Sequence, residues 1–260
     1  MREMDAAEIL AIFDNERRTL PTPGYRKEMD GSVSRSISGD SRWSWIDWSR
    51  HSDAEIEAAI DGQLAYFARL GAKFEWKVYD HDKPADLRQR LAARGFQVGP
   101  PEAFLVMPIR ELEIGRGTSS DVRRVETIEK MGDYLAVEQL VWPVDQNHSP
   151  SESIRRFLEH PEADGYHVGY AEGAPVTCGR VSFRESSRFA GLFGGATLEA
   201  FRGRGIYTAL VASRAAEARA RGVDFLFVDA LPTSRPILER RGFRCLSFTY
   251  PCTWSFDSPK

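Results

Sequence analysis

The sequence is poor in cysteine, with Cys178, Cys245 and Cys252 among 260 residues. Three thiols make no disulfide framework, and no Cys-x-x-Cys pair supplies the usual half of a zinc site. No run approaches the roughly 20 apolar residues that a membrane-crossing helix needs. The stretch from Met1 to Phe13 carries acids and no long apolar run, unlike a secretory leader. Charge of one sign is lacking too: the net charge of −3 gives no basic face for nucleic acid. These absences lead us to expect a cytoplasmic protein in a reducing compartment, with no metal, membrane or nucleic-acid partner.

Hydrophobic residues make up 42% and aromatics 11%, enough for the core of one large domain or two small ones. Asp5 to Arg18 reads as a helix, stopped by Pro21-Thr22-Pro23-Gly24. Ser32 to Trp48 alternates as a strand does. Ser52 and Glu55 suggest a capping box opening an amphipathic helix whose apolar face is Ile56, Ile60, Leu64 and Phe67. A strand over 74–79, a helix ending at Gly95 and a strand over 103–109 follow. The glycine-rich stretch Glu111 to Ser120 is the best linker, dividing the chain into 1–112 and 113–260.

The second half reads as strand, two helices, three strands, helix, strand, helix, strand. Its parts are 121–125, 127–141, 151–160, a hairpin over 166–183 turning at Glu172-Gly173-Ala174-Pro175, then 189–197, 206–221, 223–230, 235–241 and 243–256. That order predicts an α/β (α+β) fold, a mixed sheet flanked by helices. The two halves also echo each other. Leu91-Ala92-Ala93-Arg94-Gly95-Phe96 and Leu238-Glu239-Arg240-Arg241-Gly242-Phe243 share Leu-x-x-Arg-Gly-Phe, each after an aromatic-rich strand, which points to a tandem duplication.

The most informative segment is Arg202-Gly203-Arg204-Gly205, between a strand ending near Leu198 and a helix starting near Ile206. Glycines let backbone N–H groups converge without a Cβ in the way. A helix start adds unpaired N–H groups and the positive end of its dipole. Two arginines add forked donors. The physical reading is a cradle for phosphate or pyrophosphate, and the plain alternative is a tight surface turn. It is neither a Rossmann fingerprint, since position 208 is Thr, nor a Walker loop.

The run Thr197-Leu198-Glu199-Ala200-Phe201-Arg202-Gly203-Arg204-Gly205-Ile206-Tyr207 resembles motif A of the GCN5-related N-acetyltransferase (GNAT) superfamily, Gln/Arg-x-x-Gly-x-Gly/Ala. Arg202 and Gly205 match, and Tyr207 replaces the final small residue. The resemblance covers about 120–256. It implies an acetyltransferase-like, mostly antiparallel sheet in two tandem copies, the N-terminal one degenerate because no Arg/Gly loop precedes its helix. It further implies that acetyl-CoA is the co-substrate. Gly195, Ala196 and Thr197 would bond its pantetheine arm. Arg202, Gly203, Arg204, Gly205, Ile206, Tyr207 and Thr208 would surround its pyrophosphate, and Ser234 would pack against it. The family's Asn and thiolate-protonating Tyr fall at Leu231 and Leu238, so both are absent.

Acetyl transfer to an amine needs a proton acceptor. Asp229, ending the buried strand, is the catalytic candidate; the bland alternative is a turn aspartate. Glu199 is a second candidate, with a solvated loop acid as its alternative. Tyr207 and Tyr250 are candidate acids or packed aromatics, and Cys252 reads as core. The spacings of His148, His160 and His167 fit no metal pattern, and the Trp43, Trp45 and Trp48 stripe reads as core before it reads as an acceptor pocket. The expected activity is acetylation of a primary amine on a small molecule or peptide by a monomer or homodimer. Rival readings are a non-catalytic acyl-CoA sensor and a nucleotide binder.

Overall fold

A computed structural model describes residues 4–39, 43–111, 121–142 and 150–255. The stretch 112–120, which holds nearly all of the expected linker, and His148 lie outside them. The first elements are α1 (Ala6–Thr19), β1 (Tyr25–Asp30), β2 (Val33–Ser38), β3 (Ser44–Ser49), α2 (Ile56–Leu70), β4 (Phe74–Tyr79), α3 (Leu87–Ala93), β5 (Gln97–Val98) and β6 (Glu102–Pro108). Then come β7 (Asp121–Arg124), α4 (Ile128–Val141), α5 (Pro150–Glu159), β8 (Asp164–Ala171), β9 (Ala174–Phe183), β10 (Phe189–Thr197), α6 (Ile206–Ala220), β11 (Phe225–Ala230), α7 (Arg235–Glu239) and β12 (Arg244–Trp254).

The chain forms two compact units that are not contiguous in sequence. One comprises residues 1–105, 229–235 and 245–260; the other comprises 106–228 and 236–244. These units differ from a linear cut at 112/113. In the first, β1, β2 and β3 run antiparallel in order, β3 pairs β4 in parallel over Ser44–Ile46, and β12 pairs β4 antiparallel. Its core gathers Ile46, Ile56, Ile60, Phe67, Phe74, Trp76, Leu91 and Cys252. In the second, β7, β8, β9 and β10 are antiparallel neighbours, and β10 pairs β11 in parallel over Phe189–Gly191. Its core joins Met131, Tyr134 and Val137 of α4 to Tyr166, Val168, Cys178 and Ala196 of the sheet. Each unit therefore holds a parallel pair beside antiparallel ones.

The echoed motif closes both copies alike. Gly95 and Gly242 have φ of +89° and +91°, and the Phe96 and Phe243 amides donate to the Leu91 and Leu238 carbonyls. These are left-handed helix ends with six-to-one bonds, which only glycine enters cheaply. The hairpin turn also forms as expected: Glu172 and Gly173 both have positive φ, matching the twist of β8 and β9.

Two local expectations are corrected. Ser32 to Trp48 is not one strand but β2 and β3, and β1 precedes them unread because its sequence is almost wholly polar. The polar residues of β2 are nevertheless buried, because partners answer them: the Ser36 hydroxyl donates to Asp47, and Arg35 donates to Glu28 and Gln63. Ser52 does not cap α2. Its N–H and Oγ both donate to the Glu55 carboxylate, forming a separate turn before the helix starts at Ile56. Only the glutamate half of the box forms, because the Glu55 amide donates to the Ser52 carbonyl and not to its hydroxyl.

Candidate active site

In the second unit, β10 carries a bulge. Phe193 faces Arg180 and Ala196 faces Cys178, so Gly194 and Gly195 together oppose Gly179 on β9. Gly194 takes a φ of +60°. Such a bulge leaves backbone groups outside the ladder and re-aims the strand. Beyond it, the Thr177 hydroxyl donates to the Ala196 carbonyl, and Arg202 Nε donates to the Thr197 carbonyl at 3.1 Å. Arg202 thus ties the loop back to the strand it leaves.

Gly203 and Gly205 sit at φ +75° and +79°, and a Cβ at either position would meet nothing within 4 Å. They are needed for the backbone turn and leave open space beside it. Gly205 is the N-cap of α6, with no side chain capping the helix, and the Ala209 amide makes the first intrahelical bond to the Gly205 carbonyl. The amides of Ile206, Tyr207 and Thr208 therefore precede the ladder. Arg204 is exposed, 3.4 Å from Glu172 and stacked on the Phe201 ring. An open, glycine-turned, uncapped helix start flanked by two arginines suits a phosphate or pyrophosphate group.

Tyr207 lies against Gly195, whose Cβ would stand 3.1 Å from the tyrosine ring. Across the bulge, Tyr134 and Glu138 of α4 approach from the other side. Both are buried, the tyrosine hydroxyl donates to Glu138 at 3.4 Å, and burial raises the Tyr134 pKa. Glu138 escaped the sequence reading. Its signal was an acid on the helical face of Met131, Tyr134 and Val137, four residues after Tyr134.

Asp229 and Ser234 belong to the first unit. Asp229 pairs with Lys77 at 3.1 Å, and Lys77 also pairs with Glu102 at 3.0 Å. Burial works to lower the Lys77 pKa, but Asp229, Glu75 and Glu102 outweigh it and hold the ammonium well above its usual range. Asp229 Oδ1 is buried without a hydrogen-bond partner. The Ser234 hydroxyl donates to the Leu231 carbonyl, closing a turn. Leu238 is buried core, Glu199 is exposed, and burial pushes the Cys252 thiol up to about 12, too high for a nucleophile.

His167 lies on the hairpin. It is buried on β8 and bonded to Ser213 and Glu217 of α6 at 2.9 and 2.8 Å. Asp14, His81 and Asp82 bring three ligand atoms within 4.8 Å, but the Arg17 guanidinium already answers them, 2.8 Å from Asp14 and 3.5 Å from Asp82.

Residues 134–243 match the family model described as Acetyltransferase (GNAT) family. Over this stretch the chain is similar to the GNAT family. The match spans the bulged strand, the glycine loop and α6. No curated protein matches in sequence. Among solved structures, a GCN5-related N-acetyltransferase from Kribbella flavida is similar at 16% identity and TM-score 0.70, over 97% of this chain and 96% of that one. A functionally unknown conserved protein from Staphylococcus epidermidis gives 15% and 0.65, over 88% and 93%. A tandem GNAT protein from the clavulanic acid biosynthesis pathway gives 12% and 0.61, over 96% and 94%. At these identities the likeness is one of fold, and it extends the GNAT fold over both units, including its tandem form. Among the described residues no helix is long and apolar enough to cross a membrane.

Proposed function

We propose that this chain moves an acetyl group from acetyl-CoA to a primary amine of a small molecule or peptide. The observation that carries this is the pair of left-handed glycines, Gly203 and Gly205, opening onto the uncapped start of α6 beside a bulged β10. The amides of residues 206–208 and Arg204 would hold the pyrophosphate. Backbone groups of Gly195 to Thr197 would align the pantetheine arm. Bound acetyl-CoA supplies an activated thioester. The protein must then hold the amine, take its proton and shed water. Glu138 and Asp229 are the two carboxylates proposed for that proton: Glu138 stands beside the bulge, and Asp229 keeps one oxygen unpartnered.

Thiol release from acetyl-CoA across a panel of amines tests the reading. Turnover on at least one amine, lost in Gly205→Val, is the expected result. A specific observation favours a second reading, a non-catalytic acyl-CoA sensor: buried Leu238 stands where the family's tyrosine would be. Binding of coenzyme A with no turnover on any amine would select it. A thermal shift with ATP equal to that with coenzyme A would instead select a nucleotide binder.

A further inference from the structure

Arg214 is the charged residue that α6 buries, 1% exposed, against the sheet. A fully buried guanidinium demands both space and partners. Two glycines provide the space. A Cβ at Gly179 would stand 2.8 Å from Arg214 Nη1 and 3.0 Å from its Cζ; one at Gly195 would stand 3.6 Å from Nη2. These are the residues that face each other at the bulge. The partners are main-chain carbonyls. Nη1 donates to Arg180 at 3.3 Å and to Phe193 at 3.5 Å, and Nε donates to Leu210 at 3.3 Å. Arg180 and Phe193 are opposed in the ladder immediately before it breaks. Nη2 is buried under Gly195, on the side where Tyr207 also lies.

We propose that Arg214 is a positioning residue for the pantetheine-binding strand: its guanidinium, seated in the Gly179–Gly195 slot, holds the mouth of the β10 bulge open. This rests on the coenzyme A reading above. The guanidinium takes the carbonyls of the last regular pair, so the strand does not re-register and close the bulge by one residue. A one-residue slip would turn Gly195 to Thr197 to the opposite face. Arg214 touches no reacting atom. Its effect reaches the pantetheine arm through the β10 backbone, while the glycine loop has its own tie through Arg202.

The experiment compares two ligands by calorimetry on the full chain: coenzyme A, and adenosine 3′,5′-bisphosphate, which has the nucleotide end without the arm. In Arg214→Gln the bisphosphate is expected to bind within about twofold of the parent, while coenzyme A weakens by about tenfold or more. Gly179→Ala should do the same with Arg214 intact, because its Cβ displaces the guanidinium; it decides the matter if the first variant does not fold. Arg214→Lys, which keeps the charge but not the planar fork, should rescue little. Both ligands weakening together would mean general damage and overturn the inference, as would unchanged coenzyme A binding. A parent chain that binds neither ligand would overturn the coenzyme A reading, and this inference with it.

Discussion

Tyr207 stands where the family motif carries a small residue, and the opposite strand supplies the missing space as Gly195. A Cβ at Gly195 would stand 3.1 Å from the Tyr207 ring, so the glycine gives the ring its room. Gly205→Ala then carries a defined cost. A Cβ there meets no neighbour, so the penalty is the left-handed backbone, about 1–2 kcal/mol. Chemical denaturation should read that loss, alongside weaker coenzyme A binding. Asp229 poses a different question at the same scale, because Lys77 holds it. Lys77→Met would leave Asp229, Glu102 and the buried Glu75 without their cation, and should destabilise the protein by about 3 kcal/mol in urea. The two proton acceptors separate by kinetics. Glu138→Gln or Asp229→Asn, whichever is the acceptor, should lower kcat by about 100-fold and remove the acid limb of its pH profile, while coenzyme A affinity stays as in the parent.

Helix α6 has two jobs along its length, presenting amides at its start and clamping the sheet further down. The clamp is His167 with Ser213 and Glu217, with Arg124 and Arg221 also on Glu217. Burial raises the Glu217 pKa, but His167 and the two arginines outweigh it and bring the group down to about 2. A carboxylate depressed in the folded state gives stability that is full above its unfolded value near 4.5 and is lost as pH falls toward 2. His167, lowered chiefly by burial, favours the neutral form and adds loss in the same direction. Melting temperature should therefore fall on acidification through this window, and Glu217→Gln should flatten the fall while lowering the plateau at neutral pH. The glycine loop before it marked the start of α6 in the sequence but not this clamp, since a Ser and a Glu four residues apart look like ordinary surface positions. The same limit hid Arg214 and Glu138: their burial depends on glycines and tyrosines brought in from other elements.

For the molecule as a whole, the order of elements in the second half and the duplicated helix end were legible, because they are set by local patterns: glycine at positive φ, apolar periodicity and turn chemistry. The glycine loop was legible for the same reason. The polar strand β1 was not, nor was the non-contiguous make-up of the two units, since strand pairing across distant sequence leaves no local mark. That make-up carries a prediction. A fragment of residues 1–112 lacks β12, which pairs β4 from Phe74 to Tyr79 and contributes Cys252 to the first core. It should lose cooperative thermal unfolding and near-ultraviolet dichroism that the full chain retains.

The placement of β12 also has a meaning in time. A ribosome delivers the chain from its amino end, and tandem domains usually finish folding in that order. Here the unit that begins first must wait for a strand made after the glycine loop and α6 have already emerged. Throughout synthesis the β4 edge stays unpaired, a template for wrong partners. The charges on Glu75 and Lys77, which sit on that edge, are the sort of residues that discourage strangers until β12 arrives.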